Sequence, residues 1–281
     1  MLDQAIELIR SQTTTTPAVA IVLGSGLGGL ADRIDAQNAI PFEQIPGMAT
    51  TSAAGHRGEL IIGQLDSVPV VAMAGRLHRY EGWTHAQAVY PIRLMAALGA
   101  KRLIVSNAAG GVNPQLRVGE IVVIRDHINL IPNCTPTIEC SNHPPLGNPT
   151  ARTTGLGGVG RHGNIYDKRM RRVAMQAAVN AGFAAREGTY LATLGPTYET
   201  RSEYRMMRRI GADVAGMSTV PEVLAAKEED LRILGISMVS NVATPDIATK
   251  TDHQEVLEAG QAAETKMESI VRAVVRDEKA S

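Results

Sequence analysis

Val68-Pro69-Val70-Val71-Ala72-Met73-Ala74, running directly into Gly75-Arg76-Leu77-His78-Arg79-Tyr80-Glu81-Gly82, reads as a buried strand that ends in a charged turn. If the chain stays extended past the glycine, Arg76, His78 and Tyr80 point to one side, because successive side chains in a strand alternate between faces. A fixed cation, a titratable imidazole and an aromatic face at the C-terminal edge of a strand suit an anion joined to a sugar or ring. Read by itself, the octapeptide fits a solvated turn better. The other segments shift that balance.

Working outward, similar short apolar runs bounded by Gly, Pro or Asn occur at Ala18 to Leu23, Glu59 to Leu65, Arg102 to Ser106, Glu120 to Ile124, Tyr190 to Leu194, Val214 to Met217 and Ile233 to Ser240. Helical periodicity occupies Leu2 to Gln12, Thr84 to Leu98, Lys168 to Ala181, Thr200 to Ile210, Pro221 to Glu229 and Gln254 to Arg276. Strands alternating with helices predict an α/β fold: a mixed, mostly parallel central sheet flanked by helices. Asp66-Ser67 between two strand patterns predicts an antiparallel hairpin, the mixed component. The 281 residues read as a single domain, with the Pro-, Gly- and Asn-rich segment from Pro132 to Asn164 as its long irregular loop.

Lys plus Arg and Asp plus Glu each number 28, so the chain has no net field for nucleic acid or an anionic membrane. Any phosphate chemistry must use a local pocket. Cys134 and Cys140 are the only cysteines, which excludes a disulfide framework and fits a reducing compartment, while their closeness in one loop leaves a bridge open. The segment Leu2 to Arg10 has no basic n-region or long apolar stretch, and no apolar run reaches membrane-spanning length. The expectation is a cytoplasmic protein with no membrane or nucleic-acid partner.

Gly24-Ser25-Gly26-Leu27-Gly28-Gly29 follows the first strand with GxGxxG spacing. Small residues there let backbone N–H groups approach an anion, and a following helix N-terminus would add partial positive charge. A dinucleotide fingerprint would need a compact helix, a second parallel strand and an acidic residue about 20 residues on. Only a short helix candidate follows, then Pro41 and Pro46, so a phosphate loop with Ser25 as hydroxyl donor is preferred to a nicotinamide site, with a plain strand-to-helix turn as the structural alternative. Gly55-His56 precedes one strand, and Asn107-Ala108-Ala109-Gly110-Gly111 ends another, where lack of bulk lets a flat ligand or phosphate lie on backbone. Gly195-Pro196-Thr197-Tyr198-Glu199-Thr200 opens a helix. Its Glu199 is either a carboxylate fixed by the turn to accept from ring N–H donors or a complement to the helix dipole. In Gly216-Met217-Ser218-Thr219-Val220-Pro221-Glu222, Ser218 or Thr219 suits a helix cap and Met217 suits packing on a sugar face.

Taken in order, these segments and Gly75 to Gly82 resemble the trimeric purine nucleoside phosphorylases, over about Ala20 to Gly260. The resemblance implies phosphorolysis of 6-oxopurine (deoxy)ribonucleosides, inosine and guanosine among them, to free base and (deoxy)ribose 1-phosphate, by a homotrimer that uses inorganic phosphate as co-substrate and needs no metal or organic cofactor. It implies that Ser25, His56, Arg76, His78, Ala108 and Ser218 hold phosphate, that Tyr80, Tyr198, Met217 and His253 line the sugar, and that Ala109, Gly110, Glu199, Ala215 and Asn241 hold the base. His78, Glu199 and Asn241 are the implied catalytic groups. The chain departs from the family pattern at Ser240, where Thr is usual, at Pro144-Pro145-Leu146-Gly147-Asn148-Pro149, and near Arg161-His162-Gly163, which replaces an aromatic donated to the neighbouring subunit's sugar site. Two rivals remain: a methylthioadenosine phosphorylase, which calls for aspartates near the base, and a nicotinamide oxidoreductase or nucleotide-binding protein built on the Gly24 loop.

Overall fold

The computed structural model describes residues 1–24, 26–51, 57–131, 164–243 and 253–280, the side chains of 253–261 and 280 excepted. Ser25, His56, the two cysteines, His162 and the His253 side chain therefore lie outside the described residues. Nine strands are described: β1 (Val19–Leu23), β2 (Asp35–Pro41), β3 (Glu59–Leu65), β4 (Val68–Ala74), β5 (Arg102–Gly111), β6 (Ile121–Asn129), β7 (Ala185–Ala192), β8 (Val214–Gly216) and β9 (Arg232–Val242). The helices are α1 (Leu2–Gln12), α2 (His85–Ala97), α3 (Lys168–Asn180), α4 (Arg201–Arg209), α5 (Val220–Glu228) and α6 (His253–Arg276).

The strands form one sheet in the order β2-β3-β4-β1-β5-β8-β7-β6-β9, and β9 returns to pair with β5. Five of the strands thus close on themselves, while β2, β3, β4 and β1 extend as an open wing. Central strands have no polar face because both faces are covered. Along β1, Ala20 and Val22 enter the core under α1, α2 and α5, while Val19, Ile21 and Leu23 enter the core under α3 and α6. The β3–β4 hairpin is antiparallel as expected. Asp66 and Ser67 both have positive φ, 51° and 60°, as its two-residue turn requires.

Several bounds differ from those read in the sequence. β2 was not expected; its only buried residue is Ile40, and it ends in Pro41, as suits an edge strand. After the Gly24 loop the chain forms a six-residue 3-10 turn, Gly28–Arg33, then β2 antiparallel to β3. No compact α-helix and parallel second strand follow β1, so the dinucleotide unit is absent there. β5 continues through the small residues to Gly111 instead of stopping at Ser106, and β7 lies earlier than Tyr190 to Leu194. Small residues persist in β5 because neighbours crowd it: a Cβ on Gly111 would sit 3.1 Å from Val239 Cγ1.

Candidate active site

The site opens where β5 changes partners. Val105 is the last β5 residue paired with β1, and Gly110 is the first paired with β8. Between them Ser106 to Ala109 lack a strand partner on that side, which makes a crevice at the C-terminal end of the sheet. A cavity of about 360 Å³ lies there, within the range of small-molecule sites. Asn107, Ala108, Ala109 and Gly110 form its floor, and Ala215, Gly216, Met217 and Ser218 line it from β8 and the turn beyond.

Arg76 enters at one end. The chain leaves β4 at Gly75, whose φ of 115° favours glycine, so Arg76, His78 and Tyr80 share the cavity through a turn and not through strand alternation. The Arg76 side chain is 2 % exposed and its donors are occupied on several sides. Nε and Nη2 donate to Glu222 Oε1 and Oε2 at 3.1 and 2.7 Å, a bidentate pair, and Nη1 donates to the Ser106 carbonyl at 2.7 Å and to Ser218 Oγ at 3.1 Å. Gly24 must be glycine beneath it, since a Cβ would lie 2.3 Å from Ser106 O and 2.9 Å from Arg76 Nη1. The Gly24 loop therefore touches this end of the site through packing as well as through any anion contact.

Ser218 is not a helix cap. The N-cap of α5 is Thr219, without a side-chain cap bond, and Ser218 Oγ faces Arg76 and Thr219 instead. Thr219 holds φ 71°, a conformation that costs a β-branched residue about 1–3 kcal/mol and that clusters at functional sites. The Asn107 amide donates to Thr219 Oγ1 at 2.8 Å, tying the turn to β5.

Glu81 orients His78. Its Oε1 lies 3.0 Å from His78 Nδ1 and accepts the His78 backbone N–H at 2.8 Å. The imidazole stacks on Tyr80, with ring centroids 4.7 Å apart and planes at 18°. Burial pushes the Tyr80 phenol up from its ordinary value, so it stays protonated in the neutral range.

The opposite end holds Glu199, Tyr204, Ser240 and Asn241, with Tyr198, 48 % exposed, at the rim. Neighbouring strand residues normally face opposite ways, yet Ser240 and Asn241 both line the cavity. Ser240 is the extra residue of a β-bulge: Val239 pairs with Ala109 and Asn241 with Gly110. Ser240 Oγ lies 2.9 Å from Asn241 Oδ1 and 3.3 Å from the Ala109 carbonyl, so its single proton holds one or the other and ties Asn241 to the bulge. Arg208 of α4 donates to Val112 O and Ala243 O at 2.7 and 2.6 Å and braces the end of β9. Glu199 lies just outside α4 and not in its first turn, and it lines the cavity. Gly195, at φ 70°, gives way to Met217, whose Sδ would lie 2.3 Å from a Cβ there.

Thus Arg76, His78, Tyr80, Ala108, Ala109, Gly110, Tyr198, Glu199, Ala215, Met217, Ser218 and Asn241 meet around one cavity. Sequence reasoning missed Glu222 and Glu81, which hold Arg76 and His78, and Tyr204, which lines the cavity. Among the described residues no cluster of His, Cys, Asp or Glu suits a metal, and no helix is long and apolar enough to cross a membrane.

Comparison with known proteins agrees with this geometry. Residues 18–276 match the Phosphorylase superfamily. The chain is 39% identical over 276 residues to Purine nucleoside phosphorylase 1 of Geobacillus stearothermophilus, covering 98% of this chain and 97% of that one. It is 40% identical over 273 residues to the purine nucleoside phosphorylase of Rattus norvegicus, covering 96% and 92%. The crystal structure of Schistosoma mansoni purine nucleoside phosphorylase in complex with inosine aligns with a TM-score of 0.81 at 33% identity, covering 98% of this chain and 95% of that one. That Schistosoma mansoni enzyme has also been solved in complex with adenosine. The chain belongs to the Phosphorylase superfamily and, within it, to the purine nucleoside phosphorylases.

Proposed function

We propose that this purine nucleoside phosphorylase acts on 6-oxopurine (deoxy)ribonucleosides, inosine and guanosine, and that the two ends of the cavity divide the work. The observation that carries the reading is the buried Arg76 clamp at one end of a single cavity and the Glu199–Asn241 pair at the other. Phosphate sits against Arg76, His78, Ala108 and Ser218, with Ser25 and His56 completing its shell. The sugar lies between Tyr80, Tyr198, Met217 and His253. The base lies on Ala109, Gly110 and Ala215, with Glu199 accepting from N1–H and Asn241 donating to N7.

As the glycosidic bond breaks, positive charge grows on the sugar and negative charge on the departing purine. A phosphate oxygen attacks the anomeric carbon while the bonding pair leaves with the base, and the phosphate charge offsets that of the sugar. The Asn241 amide meets the negative charge spreading to N7. Glu222 neutralises much of the Arg76 charge, so Arg76 acts more by fixed N–H geometry than as a bare cation. With Glu81 Oε1 3.0 Å from Nδ1, His78 has Nε2 left for phosphate. No step calls for a metal or organic cofactor.

A 6-aminopurine enzyme would want carboxyl acceptors beside the exocyclic amine, where this cavity has the Asn241 amide. The proposed unit is a cytoplasmic homotrimer; a fully active monomer in sedimentation would refute it. The reaction itself is tested by stoichiometry with inosine. One hypoxanthine and one ribose 1-phosphate should appear per phosphate consumed, and release of free ribose would refute phosphorolysis.

A further inference from the structure

The turn between β8 and α5 is held from behind by two neighbouring strands. From β7 comes the fully buried Tyr190: a Cβ on Gly216 would clash with its hydroxyl, and the Ser218 N–H donates to that oxygen at 3.4 Å. From β5 comes Asn107, which is 1 % exposed and bonds Thr219, itself 1 % exposed. Thr219 does not line the cavity, whereas Met217 and Ser218 before it do. Its hydroxyl lies between two polar groups instead. Oγ1 accepts from Asn107 Nδ2 at 2.8 Å and lies 3.2 Å from Ser218 Oγ, which also accepts from Arg76 Nη1 at 3.1 Å. Glycine takes a φ of 71° at no steric cost, so what threonine adds at this strained position is the hydroxyl.

We infer that Asn107 and Thr219 are positioning residues for phosphate, which by donating one into the next aim the Ser218 hydroxyl proton at the anion. The inference rests on the reading of the Arg76 end as the phosphate site. A hydroxyl has one proton and two lone pairs. The Asn107 N–H fills one lone pair of Thr219 Oγ1, and the Thr219 proton then has Ser218 Oγ as its acceptor among the described residues. Ser218 Oγ thereby receives two donors, Arg76 Nη1 and the Thr219 hydroxyl, so that its own proton is what remains for the cavity. With the middle bond reversed, Ser218 would give its proton to Thr219 and turn a lone pair toward phosphate, a repulsive contact. A run of hydrogen bonds in one direction also polarises each member toward the anion. Thr219 does this through Ser218, without touching the ligand.

The test is a pair of double-mutant cycles read as the KM for phosphate in inosine turnover: Ser218→Ala, Thr219→Val and Asn107→Ala singly, and the last two each combined with Ser218→Ala. Ser218→Ala should raise the phosphate KM about tenfold, the loss of one hydrogen bond to a charged group. Thr219→Val, which keeps the branched shape, and Asn107→Ala should each raise it about threefold to fivefold, the worth of an ordinary hydrogen bond. In the Ser218→Ala background neither should raise it further, because no serine proton is left to aim. Thr219→Ser, which keeps the hydroxyl, should return the wild-type KM. The Thr219 cycle decides by itself where Asn107→Ala does not fold. If Ser218→Ala raises the phosphate KM but Thr219→Val raises it equally in both backgrounds, as a loss of packing would, or in neither, the inference is overturned and the phosphate reading stands. If Ser218→Ala leaves the phosphate KM unmoved, both are overturned.

Discussion

The two ends of the cavity are built on opposite principles. At the Arg76 end, guanidinium and Glu222 carboxylate are 2 % and 5 % exposed, and the network reaches into the turn of Ser218 and the backbone of β5. At the Glu199 end Ser240 is buried but Glu199, Tyr204 and Asn241 are only partly so, a tyrosine at the rim is half exposed, and Glu199 and Asn241 are held by neighbouring hydroxyls. On the proposed reading, the reactant common to every turnover meets a desolvated, rigid frame that is also part of the core. On the same reading, the reactant to be chosen meets adjustable side chains at the edge. Changes at the first end should therefore cost stability together with phosphate use, and changes at the second should alter selection while leaving the fold intact.

The sharpest way to break this contrast is Glu222→Ala, which leaves the Arg76 charge buried without its bidentate partner. Removing one partner of such a pair typically costs about 3–5 kcal/mol, so the urea midpoint should fall markedly. A loss under about 1 kcal/mol would mean that the frame is not structural. Next in size, Arg76→Ala and His78→Ala should each weaken phosphate use by about 1.5–3 kcal/mol, seen as a higher KM for phosphate in kinetics with both substrates varied. Unchanged phosphate KM and kcat in both variants would remove these residues from that end. Smaller still is Asn241→Asp, which keeps shape but places an acceptor beside the 6-position. It should lower the inosine-to-adenosine ratio of kcat/KM about tenfold and leave the urea midpoint near that of the wild type. A ratio that does not move would contradict the role given to Asn241.

Much of this layout was legible in the sequence because it depends on neighbours in the chain. The β3–β4 hairpin follows from two apolar runs around Asp66-Ser67, and the start of α4 could have been fixed by the capping box of Thr200 with Glu203, which was not read. That second signal also announced Tyr204, since the position after the box meets the one before the cap, and it went unused. Glu222 was not legible. Its partner Arg76 is 146 residues away, and only the closing of the sheet brings them together. β2 escaped because a polar edge strand carries little hydrophobic pattern. The bulge at Ser240 escaped because register is a property of two strands and not of one.

One assay reads both ends at once: initial rates of base release from inosine and from adenosine, each with and without inorganic phosphate. The account predicts release that depends on phosphate for either nucleoside, with kcat/KM for inosine about tenfold or more above that for adenosine, the cost of setting a bare N1 against a carboxylate. Release without phosphate would contradict the role of the Arg76 end, and equal or better use of adenosine would contradict that of the Glu199 end.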